Sequence, residues 1–213
     1  MMDTFDHRPE VAEKRRLLMR TRILDATVRT FTARVSSIPA IEDVAREAGI
    51  SRGTFYRYFD SLDSAVVAAG VAMSDGLMTD ILPVYDFLKE PWQRFSVGFR
   101  LYLARSLLDP KRTEFLIRMD VWPQGSLVDK YMSGDLRMGR DCGQFEVDNV
   151  EAATDFLKGA SAGTIQAVRR GVPEPESYID AAVHMGLRSL GCTVELCRKG
   201  VEFSRAHVGR LST

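Results

Sequence analysis

Ile41-Glu42-Asp43-Val44-Ala45-Arg46-Glu47-Ala48-Gly49-Ile50-Ser51-Arg52-Gly53-Thr54-Phe55-Tyr56-Arg57-Tyr58-Phe59 is the stretch that decides the fold. It reads as two short helices around a tight turn. The first runs from Ala40 to Ala48 and stops at Gly49, a residue that can enter the left-handed conformation that ends a helix sharply. Ile50 is apolar and can plug the core beneath the turn. Ser51 is a good N-cap for the next helix, because its hydroxyl can accept from amides that a helix start leaves unpaired. That helix runs from Arg52 to about Phe59. Phe55, Tyr58 and Phe59 stand at i, i+3 and i+4 and give it one apolar face. Ala45 is small where the two helices must approach. The opposite face shows Arg52, Gly53, Thr54, Tyr56 and Arg57. It is small where a helix would meet base edges and carries phosphate-binding side chains further on. Two short helices about a glycine turn suggest a DNA-reading motif. An αα-corner in an unrelated helical protein has the same bare helical pattern.

Working outward, a helix is predicted over about Val11–Arg34. Its apolar positions are Leu17, Met19 or Leu24, Ile23, Ala26, Thr27 and Phe31, and its other face carries arginines. Residues 1–10 are polar, contain Pro9 and read as a tail. Val35-Ser36-Ser37 form a loop. Ser36 or Ser37 could cap the second helix, with Pro39 in its first turn. Downstream, a fourth helix is predicted from near Leu62 to the Gly76–Ile81 region, and prolines punctuate the remainder. Segments of helical length follow at Trp92–Leu108, Lys111–Met119, Ser126–Cys142, Val150–Arg170, Glu176–Gly191 and Val194–His207. Strand alternation is nearly absent. The expected architecture is all-α: an N-terminal three-helix helix-turn-helix domain over 11–60 and a helical bundle over 61–213.

The chain of 213 residues has no net charge. Charge distribution matters more for nucleic acid than the sum. Between Val11 and Asp60 there are ten cations against six anions, so the N-terminal part is modestly basic and the remainder acidic. Cys142, Cys192 and Cys197 are odd in number and form no CxxC pair, which points to a reducing compartment and thiols acting as small apolar groups. A redox-sensing role for one of them is the alternative. His7, His184 and His207 are scattered, so neither a metal site nor another cofactor is expected. No apolar stretch of signal-peptide length opens the chain, and no run is expected to approach the roughly 20 apolar residues of a spanning helix. A cytoplasmic protein with no membrane partner is expected.

The wording of Ile23 to Phe59 closely resembles the N-terminal domain of TetR-family transcriptional regulators. Ile23-Leu24-Asp25-Ala26-Thr27 with Phe31 looks like that family's first core helix. The stretch from Ile41 to Phe59 is similar to its helix-turn-helix almost position for position. His184-Met185-Gly186-Leu187-Arg188-Ser189-Leu190-Gly191 weakly resembles its penultimate helix. The resemblance implies a dimeric regulator, a repressor rather than an activator in the first instance, that binds palindromic operator DNA and is released by a small-molecule effector. It implies that Arg52, Gly53 and Thr54 meet base edges, that Tyr56 and Arg57 meet phosphate, and that Ser51 caps the recognition helix. Three positions depart from the pattern. Val35 stands where a glycine often follows the first helix. Ala40 stands where a threonine commonly caps the second helix and touches phosphate. Leu62 stands where a lysine usually grips phosphate. The last two predict weaker nonspecific binding and a shallower salt dependence.

The same resemblance assigns effector binding and dimerisation to the C-terminal part. Ala153, Ala160 and Ala167 recur seven apart and form a stripe of small side chains suited to close helix packing. With His184 and Leu187 on the following amphipathic helix, they are the expected homodimer interface. An intrachain helix pair is the alternative. Gly159-Ala160-Ser161-Ala162-Gly163 matches the GxSxG pattern of a nucleophile elbow, but that chemistry needs a strand before the serine. A helical run surrounds it here, so no catalytic residue is expected and the chain reads as a non-enzyme. Phe99, Tyr102, Met119, Trp122, Met132 and Phe156, with Thr164 as a polar contact, are the candidate lining of an effector pocket. Such a lining suits an apolar or aromatic molecule. Arg169 and His184 are further polar candidates.

Overall fold

A computed structural model of the chain describes residues 8–33, 38–109, 113–116 and 125–208. The main elements are α1 (Arg8–Ala33), α2 (Ile41–Ala48), α3 (Arg52–Tyr56), α4 (Leu62–Tyr85), α5 (Pro91–Leu108), α6 (Leu127–Asp141), α7 (Val150–Gly171), α8 (Pro175–Ser189) and α9 (Val194–Val208). No strand occurs among the described residues. The chain divides into two compact units. One comprises residues 1–70 with 114–121, and the other residues 71–113 with 122–213. The division falls inside α4, after Gly70.

In the first unit α1 packs on α2, and α2 on α3. Ile23, Ala26, Val44, Ala48 and Phe55 are fully enclosed at its core. The buried threonines of α1 answer their own hydroxyls within the helix: Thr27 donates to the Ile23 carbonyl at 2.9 Å and Thr30 to that of Ala26 at 2.7 Å. Phe31 meets Phe115 edge to face at 6.0 Å. Leu17 is not the core position that periodicity suggested: it is 56% exposed, and residues 10–18 are all exposed. α1 buries side chains only further along, from Ile23, where the rest of this unit packs on it.

Helix ends follow local chemistry. Ser61 and Ser64 cap one another at the start of α4, each backbone N–H donating to the other's hydroxyl at 3.2 and 3.0 Å. Ser126 accepts from the Asp129 amide, and Asn149 from that of Ala152. α4 runs through Pro83 to Tyr85 instead of ending near Ile81. It also corrects the membrane reading. It has 24 residues with a stretch of mean hydropathy 1.5, enough by length and composition for a spanning helix. Six of its apolar residues, Ala65, Val66, Ala69, Met73, Met78 and Ile81, are buried in the folded chain, while Val67 is exposed.

In the second unit α5 is the hub, packed by α6, α7, α8 and α9. Twelve of its residues are buried, including Trp92, Phe95, Phe99 and Leu103. Gly139 and Gly200 are among the positions where close approach needs glycine. A Cβ on Gly139 would enter the Phe145 ring, and one on Gly200 would press on Leu187. The buried Arg100, 2% exposed, ties three helices together. Its Nε donates to the Ser204 hydroxyl at 2.9 Å and its terminal nitrogen to Asp180, which also accepts from Arg205. Burial acts to raise the Asp180 carboxyl, but the hydrogen bonds from Arg205 and Arg100 outweigh it and hold the group below the usual carboxylate range.

Candidate functional site

The α2–turn–α3 segment is built residue by residue from the sequence. Ala40 is the N-cap of α2 and has no side-chain acceptor to offer. The cap is half made from the other side: the Ala40 N–H donates to Asp43 Oδ2 at 3.0 Å. Ser36 and Ser37, considered as caps, and Val35 lie outside the described residues. Pro39 precedes the cap and is buried instead of entering the first turn. At the other end Gly49 takes φ 63°, ψ 40°. Its N–H reaches the Arg46 carbonyl at 3.1 Å and the Ile50 N–H reaches that of Ala45 at 2.9 Å, closing the helix. Ser51 is extended and accepts from the Thr54 amide at 3.1 Å, starting α3.

That start decides which side chains face out. Phe55 and Phe59 go into the core, while Arg52, Gly53, Tyr56 and Arg57 are exposed and Thr54 is half-buried. Their hydroxyls and guanidiniums already form one polar surface. Thr54 Oγ1 lies 3.0 Å from the Ser51 hydroxyl. Arg52 donates to the Tyr56 hydroxyl at 3.3 Å, lies over its ring, and bridges to Glu42 at 2.8 Å. These partners, the Tyr56 hydrogen bond first, hold the Arg52 guanidinium above its ordinary range. Glu42 was not singled out from the sequence. Its signal was position: it is an acid on the short helix preceding the recognition helix. Arg46 and Arg29 are engaged by Asp43 and Glu47 at 2.6 and 2.7 Å.

The second unit contains an apolar cavity between α4, α5 and α6. Of the residues proposed from sequence, Phe99, Tyr102 and Met132 line it. Phe156 and Thr164 do not: Phe156 is 62% exposed, and Thr164 turns its hydroxyl back to the Ala160 carbonyl at 2.8 Å. Met119 and Trp122 lie outside the described residues. Met78, Tyr85, Phe95, Gly98, Val128, Tyr131 and Asp135 complete the lining and were missed. The α6 members were legible. Val128, Tyr131, Met132 and Asp135 fall at i, i+3, i+4 and i+7, which puts an acid on an apolar stripe.

That acid is the polar centre of the cavity. Asp135 is 5% exposed and accepts from Arg94 Nε at 2.6 Å and from the Tyr85 hydroxyl. Burial raises its carboxyl above the ordinary range despite these partners. Arg94 stacks on the Tyr85 ring at 4.4 Å and also donates to the Tyr85 and Leu88 carbonyls. Burial pushes the Tyr102 phenol up to about 12, and its hydroxyl is bonded to Ser74.

The remaining candidates are placed as follows. On α7, Ala153 and Ala160 are half-buried and Ala167 is buried; on α8, His184 is half-buried and Leu187 fully enclosed. Leu187 and Ala167 are therefore spent on the chain's own core. The outward stripe of α7 is Ala152, Phe156, Gly159 and Gly163, with Met185 and Tyr178 exposed on α8. Ser161 of the GxSxG match lies mid-helix, 2% exposed, donating to the Lys158 carbonyl at 2.7 Å. It has none of the geometry of an elbow. Cys192 and Cys197 are buried, and burial pushes the Cys192 thiol up to about 12, away from thiolate chemistry. No cluster of potential metal ligands occurs among the described residues.

A solvent-facing recognition helix set on a capped glycine turn defines a helix-turn-helix protein. Residues 23–64 match the family model for bacterial regulatory proteins of the tetR family. The chain is similar to the HTH-type transcriptional regulator AlkX of Mycobacterium tuberculosis, 34% identical over 100 residues, which cover 46% of this chain and 47% of that protein. The match thus spans about half the length of that relative. Among solved structures, RolR in complex with resorcinol matches with a TM-score of 0.61 at 20% identity, over 89% of this chain and 95% of that one. A TetR family transcription regulator from Marinobacter aquaeolei VT8 also matches with a TM-score of 0.61, at 17% identity over 84% and 98%. At these identities the structural likeness concerns the fold. Residues 23–64 are thus similar to the N-terminal domain of bacterial regulatory proteins of the tetR family, and the fold of the rest is similar to solved structures of such regulators.

Proposed function

We propose that this protein represses transcription by binding palindromic operator DNA as a homodimer in the cytoplasm, and that a small molecule held in the cavity of the second unit releases it. The observation that carries the reading is the outward face of α3. Arg52, Thr54, Tyr56 and Arg57 are presented together by a helix whose start is fixed by Ser51 and whose back is anchored by Phe55. Two such helices one DNA turn apart, roughly 34–36 Å, read the two halves of a palindrome. Effector and DNA then favour different conformers, so each weakens the other.

The dimer is supported by the outward stripe of α7. Gly159 and Gly163 leave open space where a Cβ would stand, and Phe156 projects beside them. A small-residue strip with one protruding ring suits a self-complementary helix contact. It replaces the 153/160/167 stripe as the proposed interface.

Fluorescence anisotropy of a labelled duplex, titrated with protein over a range of salt, tests the DNA reading. Binding should weaken linearly on a log–log plot. Arg57→Ala should reduce the slope by about 0.9 if its guanidinium neutralises one phosphate, whereas Tyr56→Ala, which removes a neutral hydroxyl, should weaken binding with little change of slope. A second reading, a ligand-responsive protein without DNA affinity, is favoured by the hydroxyl-free cap at Ala40 and by Leu62. Absence of binding at low salt would establish it.

A further inference from the structure

The cavity around Asp135 is specific enough to name the chemistry of its occupant. Five aromatic side chains line it, among them Phe95 and Phe99 stacked at 5.4 Å and Tyr85 edge-on to Tyr131 at 5.9 Å. Among its lining residues only Asp135 is charged. Gly98 permits the arrangement: a Cβ there would collide with the Tyr85 hydroxyl, so glycine lets that ring lie across α5 and reach Asp135.

The charge balance excludes ions as occupants. Asp135 is neutralised by Arg94. An anion would face the carboxylate in a low-dielectric site, and the nearby guanidinium is already committed to Asp135 and two carbonyls. An added cation would face Arg94 with no uncompensated carboxylate to receive it. A neutral donor meets neither penalty. A carboxylate offers about four lone-pair positions. Arg94 and Tyr85 engage it, which leaves it able to accept one more donor. Size sets a further limit. The cavity holds about 30 Å³, against the roughly 150 Å³ that admits a benzene ring. Met78 and Met132 line it and are the flexible side chains that must move aside for a ring to enter, so a small occupant is favoured over a long chain.

We propose that the effector is a small uncharged aromatic molecule carrying a hydroxyl or N–H group, its ring held against Phe95, Phe99 and Tyr102 and its donor given to Asp135. This deepens the regulator reading and rests on it.

Isothermal titration calorimetry on the full chain tests the class with five probes: phenol, anisole, cyclohexanol, benzoate and benzylammonium. Phenol should bind about tenfold or more tighter than anisole, which lacks the donor. It should exceed cyclohexanol, which lacks the ring, by about threefold or more. Benzoate and benzylammonium should be weaker than phenol by at least about tenfold. Asp135→Asn tests the anchor. Because that change strands Arg94, the double variant Arg94→Gln/Asp135→Asn, which keeps the site neutral, is measured beside it; in both, the preference for phenol over anisole should shrink, since an amide oxygen is a weaker acceptor than a carboxylate. Equal binding of phenol and anisole, tighter binding of either ion, or no binding of any probe overturns the proposal. The anisotropy titration separates the two readings. DNA binding with the wrong probe preference removes the ligand class alone, whereas phenol selectivity without DNA binding removes the regulator reading and leaves the pocket chemistry.

Discussion

Replacing Gly49 by alanine isolates the turn on which the recognition helix depends. The backbone there is left-handed at φ 63°, a conformation that costs a residue with a Cβ about 1–2 kcal/mol. The new Cβ would also stand 2.6 Å from a terminal nitrogen of Arg22. Arg22 is exposed, and its guanidinium is the free end of a long side chain, so it can swing aside at little cost. The backbone term therefore dominates, and a loss of about 1–2 kcal/mol is expected. For a unit of this size that corresponds to about 4–8 °C in its unfolding midpoint per kcal/mol. Gly49→Asn should lose less, because asparagine tolerates the left-handed region better. The assay is thermal unfolding of full-length protein followed by circular dichroism, with DNA affinity measured on the same samples. If alanine and asparagine variants melt with the wild type, the turn is not constrained as described. If alanine melts lower but asparagine melts lower still, the crowding at Arg22 matters more than the backbone, and the reasoning fails there.

Asp180→Asn should destabilise the second unit by about 3 kcal/mol at neutral pH in denaturant unfolding, because it leaves the buried Arg100 with only the more distant carboxylate of Glu176, at 3.6 Å. The Asp180 carboxyl titrates below its unfolded value, so its contribution is present above the ordinary carboxylate range. It should fade as pH falls through the depressed value, narrowing the gap between variant and wild type. Gly139→Ala should cost about 1–3 kcal/mol by driving a methyl group into the Phe145 ring, read as a lower denaturant midpoint. Phe156→Arg, at a position 62% exposed, should convert dimer to monomer in sedimentation velocity. The far-UV spectrum should be unchanged, and an unaltered sedimentation coefficient would remove α7 from the proposed interface.

Much of this was readable in the residues themselves. Gly49, Ser51 and the Phe55/Phe59 spacing specify a turn, a cap and a buried face through local chemistry alone, and the structure places each in that role. Helix positions further along followed from periodicity and proline. What periodicity could not tell was which of two faces meets the same subunit. The stripe at 153, 160 and 167 and its neighbour at 152, 156, 159 and 163 are both apolar, and only packing in the folded chain makes the first half-buried to buried and the second exposed. Leu17 failed for the same reason: a helix shows its apolar side whether or not anything covers it. Phe156 looked like a pocket residue because it is aromatic, yet its helix turns it to solvent. Asp135 was passed over because an acid in a helix is usually a solvated one. Its meaning depends on Arg94 and Tyr85, which lie 41 and 50 positions away in sequence and reach it only in the folded protein.

The central claim is that α3 reads DNA, and selection of bound duplexes from a random pool by purified full-length protein at moderate salt tests it most directly. A palindrome should be enriched with wild-type protein and lost with the Thr54→Ala/Tyr56→Ala double variant, whose substitutions remove polar groups from the outward face and leave the buried Phe55 in place. No enriched sequence even at low salt, or the same sequence enriched by the double variant, would contradict the account.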